Sequence, residues 1–587
     1  MKGFLERILL LAALFLASCA PAPAPATSPR FAAPDGGWVT RTLRKLTVEE
    51  KIGQMIACRF TAEFRNADSA YLRELESLVA EAKIGGLILF APARVTDAAM
   101  LANRFQKLAK VPLLMAADFE AGAANRVTGA TLFPPLMSLG AAGSEDLAYA
   151  MGKITALEGR AMGIHMTYAP VVDVNINPDN PIINTRSIGA DPALVSRLAN
   201  AFIRGVQANG MIATAKHFPG HGDTSVDSHT LMPTIEAGLE RLQKVELFPF
   251  QSAIDAGVKA VMSAHLAVPA LDPTPGVPAT LSAPIMTGLL REKMGFKGLI
   301  VTDALEMAGV TNAYSTEEAS LRAILAGVDQ LLLPPEPVKV IAYLAAAVRD
   351  GRIPVSRIDA SVRRILEAKA SLGLQRNRFV RIEDLRRLVA PKAYLDAAAK
   401  AFESAATLVR NDGPVLPLAA APEKLVVLSL SSDLGDYYAG QAFVAAMRKR
   451  FPDAPAFYAD GDTGSDLLDE AVARASAADT VVLALFSRLS DRKGSVDLEP
   501  RHIDLIRKLA ALEGGPAVVA VSFGSPYFLR HIPEVDAYLC LYKNTPETQA
   551  IAARALTGEI TVAGRLPVSI PGLYPIGHGL TLERKTP

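Results

Sequence analysis

Gly210-Met211-Ile212-Ala213-Thr214-Ala215-Lys216-His217-Phe218-Pro219-Gly220-His221-Gly222-Asp223 joins an apolar run to a polar loop that continues to Asp227-Ser228-His229. From Lys216 to His229, fourteen residues hold three of the chain's eight histidines, two aspartates and a lysine. An apolar strand that delivers clustered ionisable groups is the local pattern by which α/β folds place their chemistry at strand ends. The run predicts a buried strand over Ala213–His217.

From Leu46 to about Leu374, similar apolar runs recur at Met55–Phe60, Gly86–Phe90, Leu113–Asp118, Met166–Pro170, Ala260–His265, Leu299–Asp303 and Gln330–Leu333. Amphipathic stretches such as Asp146–Met162, Leu194–Asn209 and Leu239–Ala256 separate them. Eight strands alternating with helices predict a (β/α)8 barrel over 39–374. Asp118, Lys216 with His217, His265 and Asp303 close such runs, and Asp173 follows another. In a parallel barrel these ends meet at one rim. A single Asp after a strand is often a helix cap, but caps alone explain such a set poorly.

Residues 375–400 are basic and read as a connector. Beyond them, Lys424–Leu430, Thr480–Phe486, Ala517–Phe523 and Ala537–Leu541 predict a second α/β sandwich domain over 401–587 with a mainly parallel sheet. It carries no polar cluster comparable to the first. Gly524-Ser525-Pro526 follows a strand without the glycine spacing of a phosphate loop.

The chain has 587 residues, 50% of them hydrophobic and 21% charged, with a formal net charge of +1. That length exceeds one core, and scattered Lys and Arg speak against nucleic acid as a partner. Lys2 and Arg7 precede an apolar stretch, Ile8–Leu16, too short to span a bilayer, and Leu16-Ala17-Ser18-Cys19 follows. The segment resembles a lipoprotein signal over 1–18, with Cys19 acylated after cleavage. Acyl chains contribute roughly 0.8 kcal/mol per buried methylene to membrane affinity. An Ala/Pro-rich tether over 19–38 would then hold the folded part at a membrane surface, with outer-membrane or periplasmic placement expected. Cys58 and Cys540 sit in separate predicted domains within apolar runs, which favours buried free thiols over a disulfide.

Lys216–Gly222 with Asp227-Ser228-His229, and Val301-Thr302-Asp303-Ala304-Leu305-Glu306-Met307, resemble glycoside hydrolase family 3 in its β-N-acetylglucosaminidase branch. Asp118 through Arg126, Ala169 through Asn175, Arg186-Ser187 and Met262 through His265 match further blocks in order. Ala405–Leu418 and the stretch from Gly564 through Leu580 resemble the second domain of two-domain members. The resemblance implies a retaining exo-acting enzyme that releases terminal GlcNAc from peptidoglycan fragments or chitooligosaccharides without metal or organic cofactor.

It places Asp303 as nucleophile and His229, partnered by Asp227, as proton shuttle. Asp118, Arg126, Arg186, Lys216 and His217 would bind substrate, with Asp173, His265 and Met307 as further possibilities. The chemistry is coherent: a retaining glycosidase needs a carboxylate nucleophile and a proton donor across the anomeric carbon. A carboxylate-oriented imidazole with an ordinary pKa of about 6.5 can act as acid and then base. A neutral imidazole base would also admit phosphate as acceptor. His221 and Asp223 would shape the loop.

The sequence departs from the family's Asp-Gln-Glu-Gly-Gly-Arg at Asp118-Phe119-Glu120-Ala121-Gly122-Ala123, which leaves contacts on that side of the sugar open. Rival readings are a β-glucosidase or β-xylosidase of the same family, a metal hydrolase built on His217, His221, Asp223 and His229, and a glycan-binding envelope lipoprotein without activity.

Overall fold

The computed structural model describes residues 31, 35–63, 65–228, 230–419, 424–436, 439–487 and 497–585. The segments read as signal and most of the tether, with Cys19, lie outside the described residues, as does His229.

Eight parallel strands close into a barrel: β1 Ile56–Ala62, β2 Gly86–Ala93, β3 Leu114–Ala117, β4 Met166–Thr167, β5 Ile212–Phe218, β6 Ala260–Ser263, β7 Leu299–Ala304 and β8 Gln330–Leu332. Closure is made by β8 on β1, with Ile56 opposite Leu331 and Ala57 opposite Leu332. The strands are apolar because both faces are covered, by barrel interior and by helices. All seven residues of β5 are buried, Lys216 and His217 included. The strands predicted from sequence lie where the barrel strands are found, with ends displaced by a few residues.

The helix expected over Leu239–Ala256 is two helices, Leu239–Lys244 and Phe248–Asp255. Pro249 stands in the first turn of the second. Its ring would clash with the carbonyl of Val245 in a continuous helix, so the chain turns and restarts. The first described helix, Gly36–Lys45, begins within the segment assigned to the tether, capped by Asp35, whose carboxylate accepts from Trp38 N at 3.0 Å. The connector also carries helix. Helix Lys392–Ala405 runs through its end and buries Ala398 and Ala401 in the barrel's core.

The second domain holds a six-stranded sheet in the order β11-β10-β12-β13-β14-β9, with β9 Thr407–Asn411, β10 Leu425–Ser431, β11 Ala456–Ala459, β12 Thr480–Phe486, β13 Ala517–Ser522 and β14 Ala537–Cys540. Only β9 is antiparallel to its neighbour. Period-two alternation splits β10 between two apolar layers. Val426, Leu428 and Leu430 enter one, Leu425 and Val427 the other. β9 and β11 are short and escaped the sequence reading. Cys58 and Cys540 are buried free thiols whose pKa burial pushes up to about 12.

The two domains are stitched by backbone and side-chain bonds. Ala190 N donates to Pro567 O at 2.9 Å, Arg565 N to Ala141 O at 3.0 Å, and Asn175 Nδ2 to the Tyr527 hydroxyl at 3.0 Å. Met137 and Ala141 of the barrel pack into an apolar layer of the second domain. The second sheet is thereby held over the carboxyl ends of the barrel strands.

Candidate active site

A cavity of about 1040 Å³ opens at that junction. Asp118, Glu120, Arg126, Arg186, Lys216, His217, Ser228, Asp303 and Met307 line it from the barrel. Ser525, Lys543 and Asn544 line it from the second domain.

Parallel strands deliver the charged groups. Lys216, 2% exposed, reaches from the end of β5 to Asp118 Oδ1 at 3.0 Å and Glu120 Oε1 at 2.7 Å. Arg126 donates to Asp118 Oδ2 at 3.0 Å. Arg186 grips Glu120 with two parallel bonds, Nε to Oε2 at 2.9 Å and a terminal nitrogen to Oε1 at 2.8 Å. This fork fixes both planes.

Burial alone would push both carboxyl groups up. For Glu120, Arg186 and Lys216 outweigh it and hold the group well below the usual carboxylate range. For Asp118, Lys216 and Arg126 outweigh burial and the repulsion of Glu120 and bring the group below its ordinary value. Burial pulls Lys216 down, but Glu120 and Asp118 leave it raised. The network is charged throughout.

The Lys216–His217 and Phe218–Pro219 peptides are cis. His217 is held from behind by Asp173, which is fully buried. His217 Nδ1 lies 2.7 Å from Asp173 Oδ2, and the amides of His217 and His221 both donate to that carboxylate. Asp173 does not line the cavity, so the structure makes it a support for the histidine rather than a substrate contact.

His221 has Thr224 on Nδ1 at 2.9 Å and Ser228 on Nε2 at 3.0 Å. Burial, aided by His217, pushes its pKa down to about 4, so it is neutral. Asp223 turns to Arg241 at 2.5 Å. These two shape the loop as expected, and their bonds are at odds with a metal-ligand set of His217, His221 and Asp223. Glycine is required at Gly220, where φ is 130°, and at Gly222, where a Cβ would collide with the Val174 carbonyl.

Asp303 stands near the end of β7 and accepts from the next amide, Ala304 N, at 2.7 Å. No helix starts at Ala304, so Asp303 is not an N-cap. Burial raises its pKa, but His217, His265, the Ala304 amide and Lys216 together bring it below the ordinary value. It is an ionised carboxylate facing a cavity. His265 lies outside the cavity lining. Its Nδ1 meets the Thr280 hydroxyl at 2.9 Å and its Nε2 the Ala304 carbonyl at 3.1 Å, which supports the segment that carries Asp303.

The loop that carries the expected proton shuttle docks on this same segment. Gly309 N donates to Ser228 O at 3.2 Å and Asn312 Nδ2 to Thr230 O at 3.3 Å, on either side of position 229. Asp227, 3% exposed, lies buried within that loop.

Sequence reasoning missed several lining groups. Glu120 is the pivot of the network, although in sequence it is marked only by the altered segment around it. Phe119 is fully buried against Gly159 of helix Glu145–Ala161, so its substitution fills core and leaves the carboxylates on either side in place. Tyr168 and Asn184 are buried cavity-lining residues, and among the described residues the Tyr168 hydroxyl and Asn184 Nδ2 have no hydrogen-bond partner. Asn184 holds a left-handed φ of 38°.

The family assignment follows from comparison with known proteins. Residues 47–368 match the glycosyl hydrolase family 3 N-terminal domain and 406–575 the C-terminal domain of that family. The chain belongs to glycosyl hydrolase family 3. It is 32% identical, over 92% of its length and 97% of the relative's, to a protein of Cellulomonas fimi named β-N-acetylglucosaminidase/β-glucosidase. It is 34% identical to β-hexosaminidase A of Pseudoalteromonas piscicida, over 64% of this chain and 69% of that one.

A solved family 3 β-N-acetylglucosaminidase from a Paenibacillus species superposes with a TM-score of 0.78 at 32% identity, covering 89% of this chain and 99% of that one. In this family 3 glycoside hydrolase the cavity between barrel rim and second domain is the natural seat of the reaction, being where carboxyl strand ends converge.

Proposed function

We propose that this glycoside hydrolase is a retaining exo-β-N-acetylglucosaminidase that takes terminal GlcNAc from chitooligosaccharides or peptidoglycan fragments. The observation that carries the reading is Asp303, an ionised carboxylate on the cavity wall, on a segment hydrogen-bonded to the loop with Asp227 and Ser228. The names of the Cellulomonas, Pseudoalteromonas and Paenibacillus relatives support the sugar class.

In this reading Asp303 attacks the anomeric carbon while His229, oriented by Asp227, protonates the leaving oxygen. A glycosyl–Asp303 ester forms. His229 then takes a proton from water, which attacks the same carbon and releases the sugar with its configuration kept. Asp118, Glu120, Arg126, Arg186, Lys216 and His217 hold hydroxyls through donors and acceptors whose positions are fixed before substrate arrives. Acylation of Cys19 would tether the enzyme in the cell envelope, where wall-derived glycans are at hand.

The test is hydrolysis of nitrophenyl β-GlcNAc against the matching β-glucoside by wild type and His229→Ala. Faster turnover of the GlcNAc glycoside, with the variant slowed most on poor leaving groups, is the expected result. A preference for the β-glucoside would move the enzyme to the glucosidase side of the dual name borne by the Cellulomonas relative.

A further inference from the structure

One cation on the cavity wall stands apart. Arg59 pairs with Glu306, Arg126 with Asp118, Arg186 with Glu120, and Lys216 with both Asp118 and Glu120. Lys543, the second domain's contribution, is half-buried against the same cavity, and no hydrogen bond or ion pair joins its ammonium to any described residue.

Its placement is built. It follows β14, the buried strand Ala537–Cys540, and precedes helix Pro546–Leu556, whose capping box uses Thr545 and Thr548. Tyr542, beside it, is 1% exposed, holds a left-handed φ of 62° and donates its hydroxyl to Thr407 Oγ1 at 2.9 Å. A bulky residue keeps that conformation only where its surroundings enforce it. Next in sequence, Asn544 spends its amide oxygen on Gln549 Nε2 at 2.6 Å, and its amide nitrogen is unpaired among the described residues.

Glu120 is the carboxylate whose charge acts on Lys543, against burial that lowers the lysine's pKa. A carboxylate offers about four acceptor sites. Arg186 takes one on each oxygen of Glu120, and Lys216 takes a second on Oε1. One site on Oε2 is left. An open acceptor held rigidly by two cations thus shares the cavity with an unpaired ammonium from the other domain. A sugar hydroxyl that reaches both walls of the cavity would accept from Lys543 and donate to Glu120.

We propose that Lys543 is a specificity-determining residue. With Glu120 it grips a hydroxyl of the terminal sugar remote from the anomeric carbon, at position 4 or 6, so that the second domain completes the sugar site. The assignment rests on the sugar reading above. Asp303 marks the anomeric end of the site, and the charge felt by Lys543 is that of Glu120.

The experiment compares wild type, Lys543→Met and Lys543→Arg on nitrophenyl β-GlcNAc and on its 4-deoxy and 6-deoxy analogues, with Tm measured for each protein. Wild type should lose about tenfold or more in kcat/KM on one deoxy analogue. Lys543→Met should show a similar loss on the parent glycoside, mainly through KM, and then scarcely distinguish the parent from that analogue. Lys543→Arg should restore part of the discrimination, and Tm should hold in all three proteins because the ammonium bonds to no described residue.

Lys543→Met that matches wild type on the parent, or that loses equally on all three glycosides, overturns the proposal. A wild type inert on nitrophenyl β-GlcNAc refutes the sugar reading instead, and the same deoxy series on the β-glucoside then decides Lys543.

Discussion

Two lysines of the barrel are almost equally buried, Lys216 at 2% exposure and Lys369 at 0%, yet they stand at opposite ends and in opposite states. Lys216, at the carboxyl end, has Asp118 and Glu120 within 3.0 Å and a raised pKa. Lys369 donates to Gln54 Oε1 at 2.7 Å, just before β1, with no carboxylate partner among the described residues. Burial, aided by Arg378, pushes it down to about 7.

Its surroundings behave alike. His165, ahead of β4, is held well below its ordinary value by burial and by Arg160 and Lys369, and its Nδ1 accepts from the Met115 amide. Burial with opposite charge keeps groups ionised, whereas burial alone neutralises them. The first arrangement suits gripping and splitting a polar substrate. The second suits closing the floor of a core.

The comparison is most severely tested at Asp303. If the carboxyl end exists to present an ionised nucleophile, Asp303→Ala should cut kcat on nitrophenyl β-GlcNAc by about 10⁴-fold or more with little change in Tm. A variant at full rate would break the mechanism.

Next in size is Glu120→Gln, which keeps shape but removes the charge that Arg186 and Lys216 share. We expect kcat/KM to fall about 100-fold and stability to fall by less than the roughly 3–5 kcal/mol typical of breaking a fully buried pair. Asp118 still faces Lys216, and Glu120 retains 16% side-chain exposure. Urea unfolding beside the kinetics separates the two losses.

The smallest effect belongs to the other end. Lys369→Met should leave kcat/KM unchanged and raise Tm at pH 6. The folded chain binds the Lys369 proton less tightly than the unfolded chain does. The penalty is therefore fully present below pH about 7 and is relieved as pH rises toward the unfolded value near 10.5. The advantage of the variant should shrink between pH 7 and pH 10, with lost bonding to Gln54 offsetting part of it. A destabilised variant at pH 6 would show that this end tolerates charge after all.

Much of this was legible in residue order. Apolar runs of strand length, separated by amphipathic helices, specify a parallel barrel because strands covered on both faces must be apolar throughout. A polar residue that ends such a run is then bound for the rim. That rule found Asp118, Lys216, His217 and Asp303. It gave Asp173 and His265 only as possible contacts. Both lie behind the wall, since a strand end fixes which rim a residue joins but not whether its side chain faces the cavity or the scaffold.

Glu120 passed unweighed because two residues beyond a strand the chain's direction is set by tertiary contacts. Phe119 took the core face and left its neighbours on the rim. Lys543 comes just after a strand, much as Lys216 lies near the end of one, but belongs to another sheet. Its arrival at the barrel mouth depends on how the domains dock, through Asn175 on Tyr527 and Ala190 on Pro567.

The sequence by itself determined the barrel, the second sheet and the chemical character of the rim, because hydrophobic period and strand-end polarity are local properties of the chain. Only the tertiary structure decided which carboxylate pairs with which cation, and that the Lys543 ammonium of the second domain has no partner among the described residues. Pairing depends on distances of a few ångströms between residues far apart in sequence, and those distances are fixed only when the elements pack.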